Sequence, residues 1–380
     1  MPVLRGCALG SWPKWTQVRA QPVKVYLVGG AVRDTLLGRP VTDRDWVVVG
    51  ATPQEMTALG FRPVGKDFPV FLHPQTHEEY ALARTERKTA LGYHGFVFNT
   101  APDVTLAQDL ARRDLRINSI AQDEAGQLID PFGGQQDLQR KLLRHTSGAF
   151  AEDPVRILRV ARFAARLPDF TLAPETLQLM QDMVERGEVD ALVPERVWQE
   201  LAIGLMEEHP ARMVDVLQQA GALARLVAAP DTRALTAAAQ NGASLQVRYA
   251  SWCLANNLGR RLLPRVPKEC ADLLDLAQRQ APRVLGCQQL DAPELLKLLT
   301  QCDGFRRPQR FDNLLRCIEY VHARGAPVET ATSCAHLRQA LAAAQTVQLG
   351  RPSGAITGQD MGQQIAQARI QILAKLAPAG

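Results

Sequence analysis

The hydrophobic pattern of this chain changes period near residue 145, and that change constrains its fold more than any other feature. Before it, KVYLV (24–28) and DRDWVVVG (43–50) are short apolar runs bounded by glycine turns, the pattern of buried strands. AVRDTLLG between them reads as a short helix closed by Gly38, with Pro40 just beyond. Thr52-Pro53-Gln54-Glu55 has the spacing of a capping box with proline at the first helical position, and FPVFLH and EEYALAR read as a hairpin. After the change, Glu152–Arg166, Pro174–Glu185, Glu195–Glu207 and Pro210–Leu226 are amphipathic helical stretches, and the remainder reads as helix punctuated by Pro264, Pro267, Pro282, Pro308 and Pro327. The expectation is an α+β chain: a small mixed α/β head at 23–148, a helical neck at 149–210, and an elongated all-α body and tail at 211–380.

Composition enters as a set of exclusions. A chain of 380 residues suggests two or three domains, and 46% apolar content excludes a disordered protein. No apolar run is long enough to span a membrane, and residues 1–22 have no apolar core of a secretory signal; they read as a disordered extension, or as a start codon placed too early. The seven cysteines form no CxxC pair, so they read as buried thiols of a cytoplasmic protein rather than as redox or zinc sites. A net charge of +5 permits an anionic partner without demanding one. Arginine placement says more, with clusters at Arg112–Arg116 and from Arg140 to Arg166.

Gly29-Gly30 stands where a buried strand turns into a helix, which lets backbone approach a ligand and turns helix N–H groups toward an anion; Arg33, one turn on, could add a bidentate phosphate contact. By itself such a pair marks only a tight turn, and no GxxxxGK[ST] or GxGxxG occurs. Asp43 and Asp45 change its weight. Two residues apart on a strand, they face one way with Arg44 opposite, and adjacent carboxylates repel unless a cation joins them. Oxygen ligands of this kind suit Mg²⁺, which also binds substrate phosphates.

This run, LVGGAVRDTLLG followed by TDRDWVVVG, resembles the signature of the DNA polymerase beta nucleotidyltransferase superfamily, and within it the class II tRNA nucleotidyltransferases: the CCA-adding enzymes and bacterial poly(A) polymerases. The resemblance implies a polymerase-beta-like palm in the head, with Asp43 and Asp45 holding catalytic Mg²⁺ and Gly30 and Arg33 at the triphosphate. DLARRDLRINSIA (109–121) looks like the family's RRDxxIN block, in which Arg113 contacts the nucleotide; Asp114 and Asn118 are expected four apart on one helical face. DPFGG (130–134) resembles the family's turn between head and neck, and GAITGQDMGQQIAQARIQIL its terminal segment. The resemblance is strong from residue 24 to about 215 and recognisable again at the end.

In EDPVRILRVARFAARL, Arg156, Arg159, Arg162 and Arg166 fall on one helical face opposite Ile157, Leu158, Ala161, Ala164 and Ala165. Such a stripe is usually a solvated face. Four like charges with little compensating acid nevertheless suit an anionic occupant better. The family resemblance assigns Asp153 and Arg156 to reading the incoming base, with Arg159 and Arg162 also at the nucleotide. Cytosine and adenine present an amino donor beside an unprotonated ring nitrogen, whereas uracil and guanine present a carbonyl beside an N–H. A carboxylate only accepts and a guanidinium only donates, so an Asp–Arg pair accepts C and A and is mispaired against U and G. PERVWQEL (194–201) resembles a further family block, in which Glu195 and Arg196 would brace the base-reading helix.

The segment VGKDFPVFLHPQTHEEYALARTERK looks like that of CCA-adding proteins, and the GRRFxLxHV-like segment of poly(A) polymerases does not occur. Some relatives carry an HD metal motif in the body. Here VRYASWCLANNLGR places Leu254 and Ala255 where His-Asp would stand, so phosphohydrolase activity is not expected. The resemblance therefore implies stepwise addition of C, C and A to the tRNA 3′ end from CTP and ATP, dependent on Mg²⁺ and releasing pyrophosphate, by a monomer or homodimer with no membrane partner. The alternatives are polyadenylation and a catalytically silent RNA-binding relative. Glu79 is a candidate third carboxylate, while His73, His77 and His94 carry no assignment.

Overall fold

The computed structural model describes residues 23–64, 70–88, 96–259, 265–323, 327–347 and 358–376. Residues 1–22, the VGKDF start of the segment above up to residue 69 apart from its first valine, His94, Pro264 and the GAIT at 354–357 lie outside them.

The head is a mixed sheet. In chain order come β1 (Lys24–Val28), α1 (Gly30–Leu36), β2 (Asp45–Val49), α2 (Pro53–Ala58), β3 (Arg62–Val64), β4 (Val70–Leu72) and β5 (Glu79–Leu82). β6 (Thr85–Lys88) pairs antiparallel with β7 (Phe96–Asn99) as a separate ribbon, which the apolar pattern does not mark. Then follow α3 (Leu106–Ala111), β8 (Ala121–Gln122), β9 (Leu128–Ile129), α4 (Gly134–Arg140) and β10 (Leu142–Leu143). The seven-stranded sheet runs β3-β4-β5-β2-β1-β8-β9, with β2 and β5 parallel and the other pairs antiparallel.

Both faces of the central strands are buried, which is why they read as continuous apolar runs rather than alternating ones. On one face Val25, Trp46, Val48, Met56, Phe61, Phe71, Tyr80 and Leu82 pack together, and Trp46 stacks on Tyr80 with ring centroids 5.5 Å apart. On the other, Tyr26, Val28, Val47, Ala83 and Ala121 meet Val104 and Leu110 of the α3 region. The predicted capping box is present, Thr52 and Glu55 satisfying each other's backbone N–H groups at the start of α2. Asp130 of DPFGG accepts from the N–H groups of Gly134 and Gln135 at 2.7 and 2.8 Å, and a side chain at Gly134 would collide with the carbonyl of Arg116.

The chain divides into two compact units, residues 1–156 with 169–192, and 157–168 with 193–380. α5 (Val155–Arg166) begins in the first, which also holds β11 (Thr171–Leu172), paired parallel with β10, and α6 (Pro174–Glu185). The second unit holds α7 (Pro194–Met206), α8 (Pro210–Gln219), α9 (Leu223–Leu226), α10 (Arg233–Gln240), α11 (Leu245–Ala255), α12 (Lys268–Leu285), α13 (Ala292–Gln301), α14 (Pro308–His322), α15 (Pro327–Gln345) and α16 (Gly358–Ala374). α11 is its hub, packed against α7, α10, α12 and α14, with Tyr249 and Trp252 fully buried. Cys253, Cys270, Cys287, Cys302, Cys317 and Cys334 are buried free thiols. Burial pushes Cys253, Cys302, Cys317 and Cys334 up to about 12. No helix among the described residues is long and apolar enough to cross a membrane.

Candidate active site

The Gly-Gly turn follows directly from β1. Gly29 sits at φ +69°, a left-handed conformation that a side chain strains, and its N–H donates to the Ile120 carbonyl at 3.3 Å. Arg33 does not extend to the solvent side of this turn. It is buried, its Nε and Nη2 donate to the two oxygens of Asp34 at 2.8 and 2.9 Å, and its Nη1 donates to Asn118 Oδ1 at 2.6 Å. Asn118 Nδ2 in turn donates to Asp114 Oδ1 at 2.9 Å. The physical reason is Asp34: a buried carboxylate needs a cation, and the adjacent guanidinium reaches it. Arg33 thus braces the turn at which it was expected, its Nη2 3.6 Å from where a Cβ on Gly30 would stand. Asp114 and Asn118 do meet, but through a bend and a 3₁₀ turn (Arg116–Asn118) instead of one α-helical face.

β2 begins at Asp45, so only that member of the acidic pair lies on the strand; Asp43 is in extended chain two residues earlier. The expectation of two strand-borne carboxylates is corrected to one on the strand and one at its mouth. Asp45 is opposite Val28 on β1 and opposite Glu79 on β5. Alternation places Asp45 and Glu79 on the face that α3 covers, beyond Val47 and Ala81. Partial desolvation raises the Asp45 carboxyl above the usual range and the charge of Asp43 adds to that rise, while Arg113 opposes it. The two aspartates therefore feel each other. They share an open groove of about 770 Å³ with Thr42, His77, Glu78 and Glu79.

Among the described residues no three His, Cys, Asp or Glu side chains gather closely enough to hold a metal ion by themselves. Two repelling carboxylates in an open groove do fit the mode in which Mg²⁺ binds, through one or two carboxylates with water and substrate phosphates completing its shell. Glu79 shares the groove but does not complete a three-ligand cluster.

Arg113 follows α3 and lies against the turn: a Cβ added to Gly29 would stand 3.0 Å from its Nη1. Its Nη2 donates to Asp109 at 3.2 Å. One guanidinium thus lies at the glycine turn and is near enough to Asp45 to oppose the rise of its carboxyl.

At the start of α5, Asp153 Oδ1 accepts from the Val155 N–H at 3.1 Å, so this carboxylate also caps the helix. Arg156 is buried, with Nη1 donating to the Ala149 carbonyl at 2.5 Å. In the second unit, Arg162 Nε donates to Glu200 of α7 at 2.6 Å, and Arg159 stands 3.7 Å from the other Glu200 oxygen. The arginine stripe is therefore not a uniformly solvated face: Arg156 and Arg162 are buried, and Arg159 and Arg162 face a carboxylate. Glu200 supplies the acid, a partnership that no spacing within α5 can reveal. Glu195, one of the two residues expected to brace that helix, pairs with Arg265 at 2.8 Å.

In the body, the positions where an HD motif would fall belong to α11. Trp252 there donates to the Ala229 carbonyl at 3.0 Å, and Asn256 just beyond it bridges the backbones of Asp231 and Trp252. Arg248 donates to the carbonyls of Ala243, Leu205 and Glu207, closing the end of α7.

A sheet carrying a glycine turn, an acidic pair and an adjacent arginine defines a nucleotidyltransferase head. Comparison with known proteins agrees. Residues 25–144 match the Poly A polymerase head domain, and residues 169–235 match the family described as the probable RNA and SrmB-binding site of polymerase A. The chain is 52% identical to the Multifunctional CCA protein of Leptothrix cholodnii, over 93% of this chain and 96% of that one, and 50% identical to that of an Azoarcus species, over 86% and 91%. Among solved structures it resembles the Bacillus stearothermophilus CCA-adding enzyme in complex with CTP (TM-score 0.66, 25% identity, 93% of this chain and 89% of that one). It also shares the fold of the Thermotoga maritima CCA-adding enzyme complexed with tRNA (TM-score 0.68, 22% identity, 93% and 90%). The chain belongs to the CCA-adding tRNA nucleotidyltransferase family.

Proposed function

We propose that this protein adds and repairs the 3′-terminal CCA of tRNA, with Asp43 and Asp45 holding the Mg²⁺ that the reaction uses. The observation that carries the reading is the placement of Asp45 beside the Gly29-Gly30 turn with Arg113 reaching toward it. Membership of the family implies a divalent cation; Mg²⁺ is supported by the all-oxygen donor pair and the open groove. When bound it would lower the pKa of the tRNA 3′-hydroxyl and offset charge on the phosphates.

The chain's own residues do the rest. The turn at Gly30 lets backbone approach the triphosphate, and Arg113 and Arg33, which also keeps the turn in shape, hold it by their N–H donors. The 3′-hydroxyl gives up its proton to solvent water, its oxygen forms a bond to the α-phosphorus, the bond from that phosphorus to the bridging oxygen breaks, and pyrophosphate leaves with its charge facing Arg113. Asp153 and Arg156, both anchored at the first turn of α5, present acceptor and donor to the base edge, which suits C and A alone. Arg159 and Arg162 serve the nucleotide from the same helix, their geometry set by Glu200. The helical second unit binds tRNA through phosphate charge and shape. Buried reduced thiols accord with action in the cytoplasm.

The match to a poly(A) polymerase head keeps polyadenylation as the second reading. One assay separates them: tRNA lacking its 3′ end, Mg²⁺, and single labelled nucleotides. Incorporation that stops at two C and one A supports CCA addition. A long A tail replaces it with polyadenylation, and no incorporation leaves an RNA-binding relative.

A further inference from the structure

Asp109 lies near the end of α3 with no exposed surface, and its carboxylate anchors both arginines that follow. Oδ1 accepts from Arg112 Nε and Nη2 at 3.1 and 2.8 Å and from the Arg84 backbone N–H at 3.3 Å, while Oδ2 accepts from Arg113 Nη2 at 3.2 Å. Neutralising a buried carboxylate takes one guanidinium, and Arg112 supplies it. Arg113 shares that task, and its guanidinium also extends past Asp109. It is held with its Nε buried and without an acceptor. At its far end Nη1 stands against Gly29.

We propose that Asp109 is a positioning residue for the nucleotide: it locks Arg113 across the gap between the Gly29-Gly30 turn and Asp45, so that the guanidinium meets the triphosphate already oriented. An arginine that clamps phosphate from a mobile state gives up rotamer freedom on binding; one fixed beforehand does not. The inference rests on the function proposed above and adds a residue to it.

The test is steady-state addition of CMP to tRNA lacking its 3′ end, by wild type, Asp109→Asn, Arg113→Ala and the double variant. Asp109→Asn raises KM for CTP about tenfold and leaves KM for tRNA unchanged, a split that general loosening of the head does not produce. The double variant is no worse than Arg113→Ala, because both changes remove one interaction. An active Asp109→Asn with wild-type KM for CTP overturns the proposal, as does a double variant that loses a further tenfold beyond Arg113→Ala. If Asp109→Asn does not fold, Arg112→Ala carries the test: it spares the Asp109–Arg113 contact, so KM for CTP stays within about twofold, and a tenfold rise overturns the proposal. Wild-type protein that adds no CMP overturns the underlying reading and this inference with it.

Discussion

Glu200 on α7 bonds Arg162 on α5 at 2.6 Å, and the same carboxylate faces Arg159 at 3.7 Å. Both partners of the shorter contact are largely buried, with side-chain exposures of 11% each. Removing the acid leaves a guanidinium in low dielectric without a counter-charge. Glu200→Gln is expected to destabilise the second unit by about 3 kcal/mol, seen as an earlier transition in thermal or urea unfolding. An unchanged unfolding profile would show that the ion pair is incidental.

Asp43→Ala is expected to cut nucleotide transfer by roughly a thousandfold or more while tRNA affinity stays near wild type, since one carboxylate cannot hold the cation in register. Chelation of divalent ions should silence the wild type in the same way, with recovery on adding Mg²⁺. Full activity in either experiment contradicts the metal assignment.

Asp153→Ala is expected to relax selection of the base. Without the acceptor, UTP and GTP lose their mismatch while CTP and ATP lose a bond, so discrimination narrows by about 1–3 kcal/mol. Single-nucleotide competition assays read this directly; unaltered rejection of UTP removes Asp153 from base reading and leaves it as a helix cap.

Gly29→Ala introduces a Cβ at φ +69° and 3.0 Å from Arg113 Nη1. The backbone strain is about 1–2 kcal/mol, and the displaced arginine should raise KM for CTP with kcat less affected. Wild-type KM would mean that Arg113 does not need this contact.

A pH dependence follows from Asp109. Burial pushes its carboxyl up, but Arg113 and Arg112 together overcome that and hold it below the usual carboxylate range. A depressed folded-state pKa contributes stability above the unfolded value and loses it as pH falls through the folded one. The stability gap between wild type and Asp109→Asn should therefore be full above about pH 4 and close in more acidic solution. A gap that widens on acidification reverses the sign and rejects the pairing.

Local order along the chain was legible where one segment carries its own instructions. The runs at 24–28 and 45–49, the Thr52–Glu55 capping box and most helices after residue 150 appear, because turn chemistry and periodicity act over a few residues, while the stretch Pro210–Leu226 breaks into α8 and α9 around Gly221. Asp43, Asp45, Arg113 and Asp153 could be picked out by motif. The strands at 85–88 and 96–99 could not, since TERK has no apolar residue and the apolar run in FVFN is only three residues long.

What stayed out of reach was partnership across distance. The bonds from Arg33 to Asp34 and to Asn118, the latter eighty-five residues on, could not be read from the motif that marks Arg33. Glu200 and Asp109 could be assigned no function, because a carboxylate acquires its role from the cation that packing brings to it. Residue order by itself determined the elements, the family and the carboxylates of the head. Only the tertiary structure decided which acid holds each arginine, Asp34 for Arg33, Asp109 for Arg113 and Glu200 for Arg162, because burial forces each charge to find a partner and folding alone sets who is near.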